Sequence, residues 1–367
     1  MNSVEQYIFQ QNMAQLDTHW EPFAKEIMAL QTPDTFTCLY ATDIHYIRKY
    51  AYYAVVYSRL QEMVAFSGHI GADLLAVTGD LADGNTTLTR QYRDLYDVVS
   101  LLRQSKTTFL ALSKGNHDNC GWYSYQHELG VDNLITPEQW YTHVVNPVRV
   151  QFAIRCDAAN PGGGYYAMDD PFHKIRILNL DSSDLPVVTD ENGLLPKQWC
   201  GHWTFGFRQA QLRWLAEMLR LPEPGWGVML LSHCCPLTEN EEPVLNGDLV
   251  KQLLRAFQNG EKGTLTGDLP HMEAEVPYDF TQNQSRELLP WFYGHVHRDD
   301  VQVRDGVTLV STRNLLGKVP APDSWDRGKD SRALFNGSWD CILLDRKRRH
   351  VTIRRFDRPA ENRSFDY

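Results

Sequence analysis

Gly115-Asn116-His117-Asp118, directly behind the largely apolar run Thr107-Thr-Phe-Leu-Ala-Leu112, is the stretch on which this chain turns. Asn116 offers a neutral amide oxygen to a metal, and His117 beside it offers a proton. Alone the tetrapeptide is weak evidence, because Gly and Asn before a charged residue usually make a turn. The rest of the chain supplies the company that gives it meaning.

Upstream, Phe36-Thr-Cys-Leu-Tyr-Ala41 has strand composition and stops at Asp43-Ile44-His45. Where a strand ends, residues i and i+2 project together, so a carboxylate and an imidazole there can chelate one ion. The run Asp73-Leu-Leu-Ala-Val-Thr78 ends in Gly79-Asp80, followed by Leu81-Ala-Asp83-Gly84. This again delivers a carboxylate to a strand's carboxyl end, where open α/β sheets bind ligands. Downstream, Gly227-Val-Met-Leu-Leu-Ser232 ends at His233, and Trp291-Phe-Tyr293 delivers Gly294-His295-Val296-His297. Helical patterns over 50–67, 88–104 and 207–220 separate these runs. Strand, loop ligand and helix in repetition predict parallel strands covered on both faces.

The remaining chain is read more coarsely. Residues 3–30 carry an apolar stripe suited to a covering helix, and Thr136-Pro137-Glu138 is a helix start. Pro161-Gly-Gly-Gly164 lacks the Lys-Ser/Thr of a phosphate loop and is read as a turn. Ile175-Arg-Ile-Leu-Asn-Leu180 is a strand, with Asp181 read as a turn former rather than a ligand. Two insertions, 184–206 and 237–290, have the composition of a cap or lid that makes substrate contacts; the second carries a helix at about 247–258. Val307–Ser311 and a hairpin at 340–356 are expected in a second sheet, and the basic turn Arg346-Lys-Arg-Arg349 is expected to be solvated. No linker composition divides the chain, so residues 1–367 are expected to form one domain with insertions.

An apolar share of 43 % and a charged share of 22 % are ordinary for a soluble globular protein. A formal net charge of −10 argues against a nucleic-acid polymer as partner, because phosphate backbones need Lys and Arg. It leaves room for a phosphate substrate, since bound cations dominate local electrostatics. Seven scattered cysteines without CxxC pairs, no apolar run of membrane-spanning length and no leader pattern at Met1 predict a cytoplasmic protein.

In order, Asp-x-His, Gly-Asp-x-x-Asp, Gly-Asn-His-Asp, a strand-end His and Gly-His-x-His resemble the calcineurin-like metallophosphoesterases. The resemblance covers about 43–297 by motif, and the closing Ile353–Phe356 and Asn362–Tyr367 extend it. It implies an α/β fold, a four-layer α/β/β/α sandwich of two mixed sheets with a dinuclear metal site at strand ends. By the same resemblance Asp43, His45 and His297 hold one metal, Asn116, His233 and His295 the other, and Asp80 bridges. That mixture of oxygen and imidazole donors suits Mn, Fe, Zn, Co or Ni rather than Ca or Cu(I).

The implied chemistry is hydrolysis of a phosphoric ester by a metal-bridging hydroxide, with His117 protonating the leaving oxygen and Asp118 orienting its ring. The protein Ser/Thr phosphatase branch has Asp-Arg-Gly in its second motif and Glu after Asn-His. This chain has Asp83-Gly84 and Asp118, which looks more like the cyclic-nucleotide and nucleotide phosphodiesterase side of the family, and the substrate so implied is a small-molecule or nucleotide phosphodiester. A phosphomonoesterase or nucleotidase is the alternative within enzymes, and a non-catalytic metal-binding scaffold the alternative outside them. Cys234-Cys235 beside His233 is read as a buried pair, with an oxidation-sensing thiol as the sharper alternative.

Overall fold

The computed structural model describes residues 20–48, 53–239, 242–316 and 337–367. The first part of the expected helix 3–30 lies outside these residues, and its described part is α1, 20–30. In chain order there follow β1 (Thr35–Ala41), α2 (Tyr53–His69), β2 (Leu74–Thr78), α3 (Leu88–Leu102), β3 (Phe109–Ser113) and α4 (Gly121–Gln126). The helical segment opening with α5 (Pro137–Trp140) starts in a capping box between Thr136 and Gln139, and runs through a π turn into α6 (Asn146–Arg149). Then come β4 (Arg155–Cys156), β5 (Tyr166–Asp170), β6 (Ile175–Asn179), β7 (Phe205–Gly206), α7 (Gln209–Met218), β8 (Gly227–Ser232), β9 (Val244–Leu245) and α8 (Gly247–Asn259). The hairpin β10 (Lys262–Gly267) and β11 (Ala274–Asp279) leads to β12 (Glu287–Tyr293), β13 (Asp300–Arg304), β14 (Val307–Ser311), β15 (Asp340–Asp345), β16 (His350–Arg355) and β17 (Arg363–Asp366).

Two mixed sheets result, in the orders β17-β16-β15-β1-β2-β3 and β13-β14-β12-β8-β6-β5-β4. The strands that end at the singled-out residues are parallel neighbours: β1 with β2, β2 with β3, and β8 with β12. Side-chain alternation sets the layering. In the second sheet Ile175, Ile177, Met229, Leu231, Phe292 and Val310 join Leu39, Leu75, Leu110 and Ile342 of the first sheet in one core. Their neighbours Leu178, Leu180, Val228, Leu230, Trp291, Tyr293 and Leu309 point the other way, onto Leu212, Leu215, Leu253 and Phe257 of α7 and α8. The larger core also takes in α1, α2 and α3 through Ile27, Leu60 and Val98. The architecture is the expected α/β/β/α sandwich.

Two expectations are corrected. Val307–Ser311 and the hairpin do not share a sheet. β14 pairs with β12 (Trp291 with Leu309), whereas β15 pairs with β1 (Phe36 with Leu344). Every residue of β1 is buried, so its backbone needs a partner on both edges, and β15 supplies the second. An apolar pattern fixes the face of a strand and not its sheet. The basic turn is not simply solvated either. Arg346 donates to the carbonyls of His173, Lys174 and Gly225 and pairs with Glu287, tying the β15–β16 turn to the second sheet. A guanidinium fork has the donors for such a junction.

At the other end of the hairpin, Arg355 is 2 % exposed and binds Asp340, Asp299 and Glu361 at 2.7–2.9 Å. Asp299 stands two residues beyond His297, so this network anchors the loop carrying His297 to the C-terminal strands. Within 237–290, α8 contributes Leu249, Val250, Leu253 and Phe257 to the core and β11 adds Ala274 and Val276, while β10 alternates exposed and half-buried residues. The Pro161–Gly164 segment is a turn, and Asp181 accepts the Ser183 N–H at 2.9 Å in a local turn.

Candidate metal centre

The carboxyl ends of β1, β2, β3, β8 and β12 come together at one edge of the sandwich. Asp43, His45, Asp80, His295 and His297 all have left-handed backbones, with φ between 45° and 68°. For residues with a Cβ this conformation costs on the order of 1–2 kcal/mol each, and such strain concentrates where a site needs it. Backbone hydrogen bonds hold the bends, from Asp43 N–H to Gly79 O (3.1 Å) and from His45 N–H to Asp80 O (2.8 Å). Gly79, at φ 93°, is required twice over: a Cβ there would lie 2.4 Å from His233 Nδ1.

Two groups of side chains meet. In the first, His297 Nε2 lies 3.1 Å from Asp43 Oδ1 and 3.2 Å from His45 Nε2. In the second, His233 Nε2 lies 2.9 Å from Asn116 Oδ1 and 3.4 Å from Asp80 Oδ2. Asp80 Oδ2 is also 3.6 Å from His45 Nε2, so this carboxylate stands between the groups. Asp43, His45, Asp80, Asn116 and His233 are buried, whereas His297 opens to solvent. His295 is placed differently. Its backbone N–H donates to Asp43 Oδ2 at 3.0 Å, its ring centre is 5.2 Å from that of His233, and its Nε2 faces Glu242 Oε2 at 3.3 Å.

The donor set fits cations, and one detail decides it. His233 Nδ1 faces the Thr78 carbonyl at 2.8 Å and therefore carries the proton. Burial lowers the pKa of this ring, which keeps it neutral and leaves Nε2 a bare lone pair. That lone pair points at Asn116 Oδ1, and Asn116 Nδ2 is turned away to donate to the His202 carbonyl at 3.2 Å. An imidazole nitrogen, an amide oxygen and a carboxylate face one another with no hydrogen to share. A divalent transition metal satisfies that arrangement.

Electrostatics agree. Burial alone would raise the Asp43 and Asp80 carboxyls. The surrounding imidazoles reverse this, holding Asp43 far below the usual range and Asp80 at about 2. His45 is pushed down to about 3, first by burial and then by His117. His295 and His297 go the other way despite burial, raised by Glu242 and Asp43 respectively.

His117 lies beside the two groups, its ring 4.5 Å from that of His45. Its backbone N–H donates to Asp80 Oδ1 at 2.9 Å, and its Nδ1 sits 2.5 Å from the Asp83 carbonyl. The role expected of Asp118 is corrected here. Its carboxylate does not touch the His117 ring but accepts N–H groups from Gly115 (2.8 Å) and Ala82 (3.0 Å). It is a buried clamp on the loop, and burial raises its pKa well above normal. The Asp83 carbonyl orients His117 instead. The same local fold brings side-chain atoms of His45, Asp83 and His117 within 4.8 Å of one another.

Two residues at this edge were not legible as site residues. His202 stacks on Trp122 with ring centres 5.1 Å apart and stands 4.7 Å from His117. Glu242 reaches His295 from the second insertion. The available signal was the ring-rich Trp199-Cys-Gly-His-Trp203, and nothing marked Glu242 among its acidic neighbours. Cys234 and Cys235 are fully buried, and burial pushes both thiols up, Cys235 to about 12. Reactive cysteines have the opposite property.

A family model, calcineurin-like phosphoesterase, matches residues 36–299. No curated protein matches the chain significantly. Among solved structures, a dimetal phosphatase from Danio rerio is similar over 90 % of this chain and 99 % of its own, with a TM-score of 0.55 at 15 % identity. A purple acid phosphatase from yellow lupin (Lupinus luteus) seeds gives 0.41 at 12 % identity, covering 90 % of this chain and 53 % of its own. The phosphopantetheinyl hydrolase of Mycobacterium tuberculosis gives 0.34 at 15 %, covering 80 % and 93 %.

Proposed function

The chain belongs to the calcineurin-like phosphoesterase family and is a metal-dependent phosphoric ester hydrolase, and we propose that it prefers a small-molecule or nucleotide phosphodiester. Members of the family use two divalent transition-metal ions. We assign Asp43, His45 and His297 to one ion, Asn116, His233 and His295 to the other, and Asp80 to both. The observation that carries this reading is the pair of donor groups meeting at Asp80, in one of which the His233, Asn116 and Asp80 lone pairs face one another without a hydrogen between them. When bound, the ions activate water and polarise the phosphoryl oxygens.

The chain's own residues supply the rest. His117 donates a proton to the leaving oxygen, and its Nδ1–H on the Asp83 carbonyl leaves Nε2 for that task. Asp118 keeps the loop closed beneath it. Asp83-Gly84, where the protein phosphatase branch has Asp-Arg-Gly, supports the diester reading. We treat the chain as one domain whose stretches 184–206 and 237–290 form the substrate rim through His202 and Glu242. We place it in the cytoplasm, which its seven free cysteines support; no helix among the described residues is long and apolar enough to cross a membrane.

Metal content measured together with hydrolysis of bis(p-nitrophenyl) phosphate and p-nitrophenyl phosphate, across Mn, Fe, Zn, Co and Ni, tests the reading. About two ions per chain with faster diester turnover is expected; turnover of the monoester alone would replace the diester preference with a phosphatase or nucleotidase.

Acid should release the ions. An imidazole binds metal only when neutral, and His295 and His297 hold their protons above the ordinary 6.5 in the metal-free site. Protons therefore compete at these two first, and affinity is present above that range and lost as pH falls through it. In the metal-free protein the sign is opposite: the His295–Glu242 and His297–Asp43 pairs stabilise the fold below 6.5 and lose this as pH rises through their raised pKa values. Dialysis over a pH series followed by metal analysis checks this; full occupancy retained well below pH 6 would contradict histidine ligation.

A further inference from the structure

A file of rings leads outward from the metal centre. From His45 it passes to His117 (4.5 Å between centres), then His202 (4.7 Å) and Trp122 (5.1 Å, stacked at 27°). Trp203 closes it, 4.2 Å from Trp122 and 4.7 Å from His202, with Tyr125 5.7 Å further on. Trp122, His202 and Trp203 are each part-exposed, and Tyr125 is 38 % exposed. Lys197 places its ammonium 4.7 Å from the centre of the Trp203 ring.

These rings belong to two segments far apart in sequence, yet the structure welds them together. Asn116 Nδ2 donates to the His202 carbonyl at 3.2 Å and faces His202 Nδ1 at 3.3 Å. Asn119 donates to the carbonyls of Cys200 (3.3 Å) and Gly201 (3.4 Å) and accepts the Gly121 N–H (2.7 Å). Gly121 permits the contact, since a Cβ there would lie 1.6 Å from the Cys200 oxygen. Residues 200–203 are thus fixed to the Gly115–Asp118 loop and to the start of α4, and the rings they carry are preorganised, which spares ordering entropy on binding.

From this geometry we infer that Trp122, His202 and Trp203 form a stacking wall for a planar aromatic or heteroaromatic leaving group of the ester. The inference rests on the hydrolase reading above. His117 presents its proton on the leaving-group side, and the wall begins at His117. An alcohol whose oxygen meets His117 therefore lies along the file, and a flat π face suits stacked and edge-on rings better than an alkyl chain does. Base–aromatic stacking of this kind tolerates many ring types, so the wall selects a planar group without choosing among heterocycles.

Non-hydrolysable phosphonates test the wall apart from turnover. Calorimetric binding to the metal-loaded protein is compared for naphthylmethylphosphonate, cyclohexylmethylphosphonate and inorganic phosphate. The wild type is expected to bind the naphthyl compound about tenfold more tightly than the cyclohexyl one, the scale of one aromatic stack. Trp122→Leu, which keeps apolar volume, is expected to abolish that preference while metal content and phosphate affinity stay unchanged. His202→Ala, measured likewise, should reduce the preference even if Trp122→Leu fails to fold. Phosphate binding without a ring preference in the wild type, or a preference that survives both substitutions, would overturn the wall and leave the hydrolase reading standing. Loss of phosphate binding by the metal-loaded wild type would overturn both.

Discussion

Asp80→Asn is expected to lose nearly all turnover while the chain stays folded. Asp80 Oδ1 accepts the His117 N–H at 2.9 Å, and an asparagine oxygen can keep that bond. Oδ2 stands 3.4 Å from His233 Nε2 and 3.6 Å from His45 Nε2, the point shared by the two donor groups. In the variant an NH2 group occupies this point and donates to one of the imidazole lone pairs. It fills with hydrogen the place where a cation is needed, and it removes the negative charge that the imidazoles hold at a pKa of about 2. The metal-free protein should accordingly melt no lower than the wild type. Metal content should fall below two ions per chain, and kcat/KM on the best ester should fall on the order of a thousandfold, the rate equivalent of several kcal/mol of charge stabilisation. Metal analysis, a melt and steady-state kinetics on one preparation check all three; full activity with full metal content would reject Asp80 as the shared ligand.

The sequence carried much of this edge because each strand and the candidate ligand at its tip are adjacent in it. Each apolar run that ends at Asp43, Asp80, Asn116, His233 or His295 fixes both a strand and the residue at its tip. A period of two also sorts inner from outer faces, as Ile177 and Leu178 show in β6. What was not legible depends on contacts between segments distant in the chain. β15 joins β1 across some 300 residues, and no local pattern encodes that choice of sheet. Asp118 was assigned to the His117 ring by analogy, yet its carboxylate is taken up by the N–H groups of Gly115 and Ala82, while a backbone carbonyl orients the ring. A carbonyl has no residue letter. His202 enters the site because Asn116 and Asn119 hold its loop; Asn116 was read for another duty, and nothing in the sequence singled out Asn119. The left-handed φ values at five site residues are likewise invisible in composition, although the Gly before Asp80 hinted at crowding there.

His117→Ala should separate chemistry from metal binding. The His117 backbone N–H that donates to Asp80 remains in the variant, and so does the Asp118 clamp on Gly115 and Ala82, so both ions should stay. What is lost is a proton donor held by the Asp83 carbonyl at 2.5 Å. General-acid catalysis is worth about 10²–10⁴, but only where the leaving oxygen needs a proton. Across aryl and alkyl diesters of rising alcohol pKa, kcat should therefore fall little for the most acidic alcohol and by about that full factor for the least acidic. The variant's dependence on leaving-group pKa becomes steep where the wild type's is shallow. Asp118→Asn provides the contrast. Because that side chain clamps the loop and does not touch the ring, its replacement should lower the melting temperature and leave the leaving-group dependence shallow. A uniform loss across the series for His117→Ala, or a steepened dependence for Asp118→Asn, would return the acid role to a different group and the orienting role to Asp118.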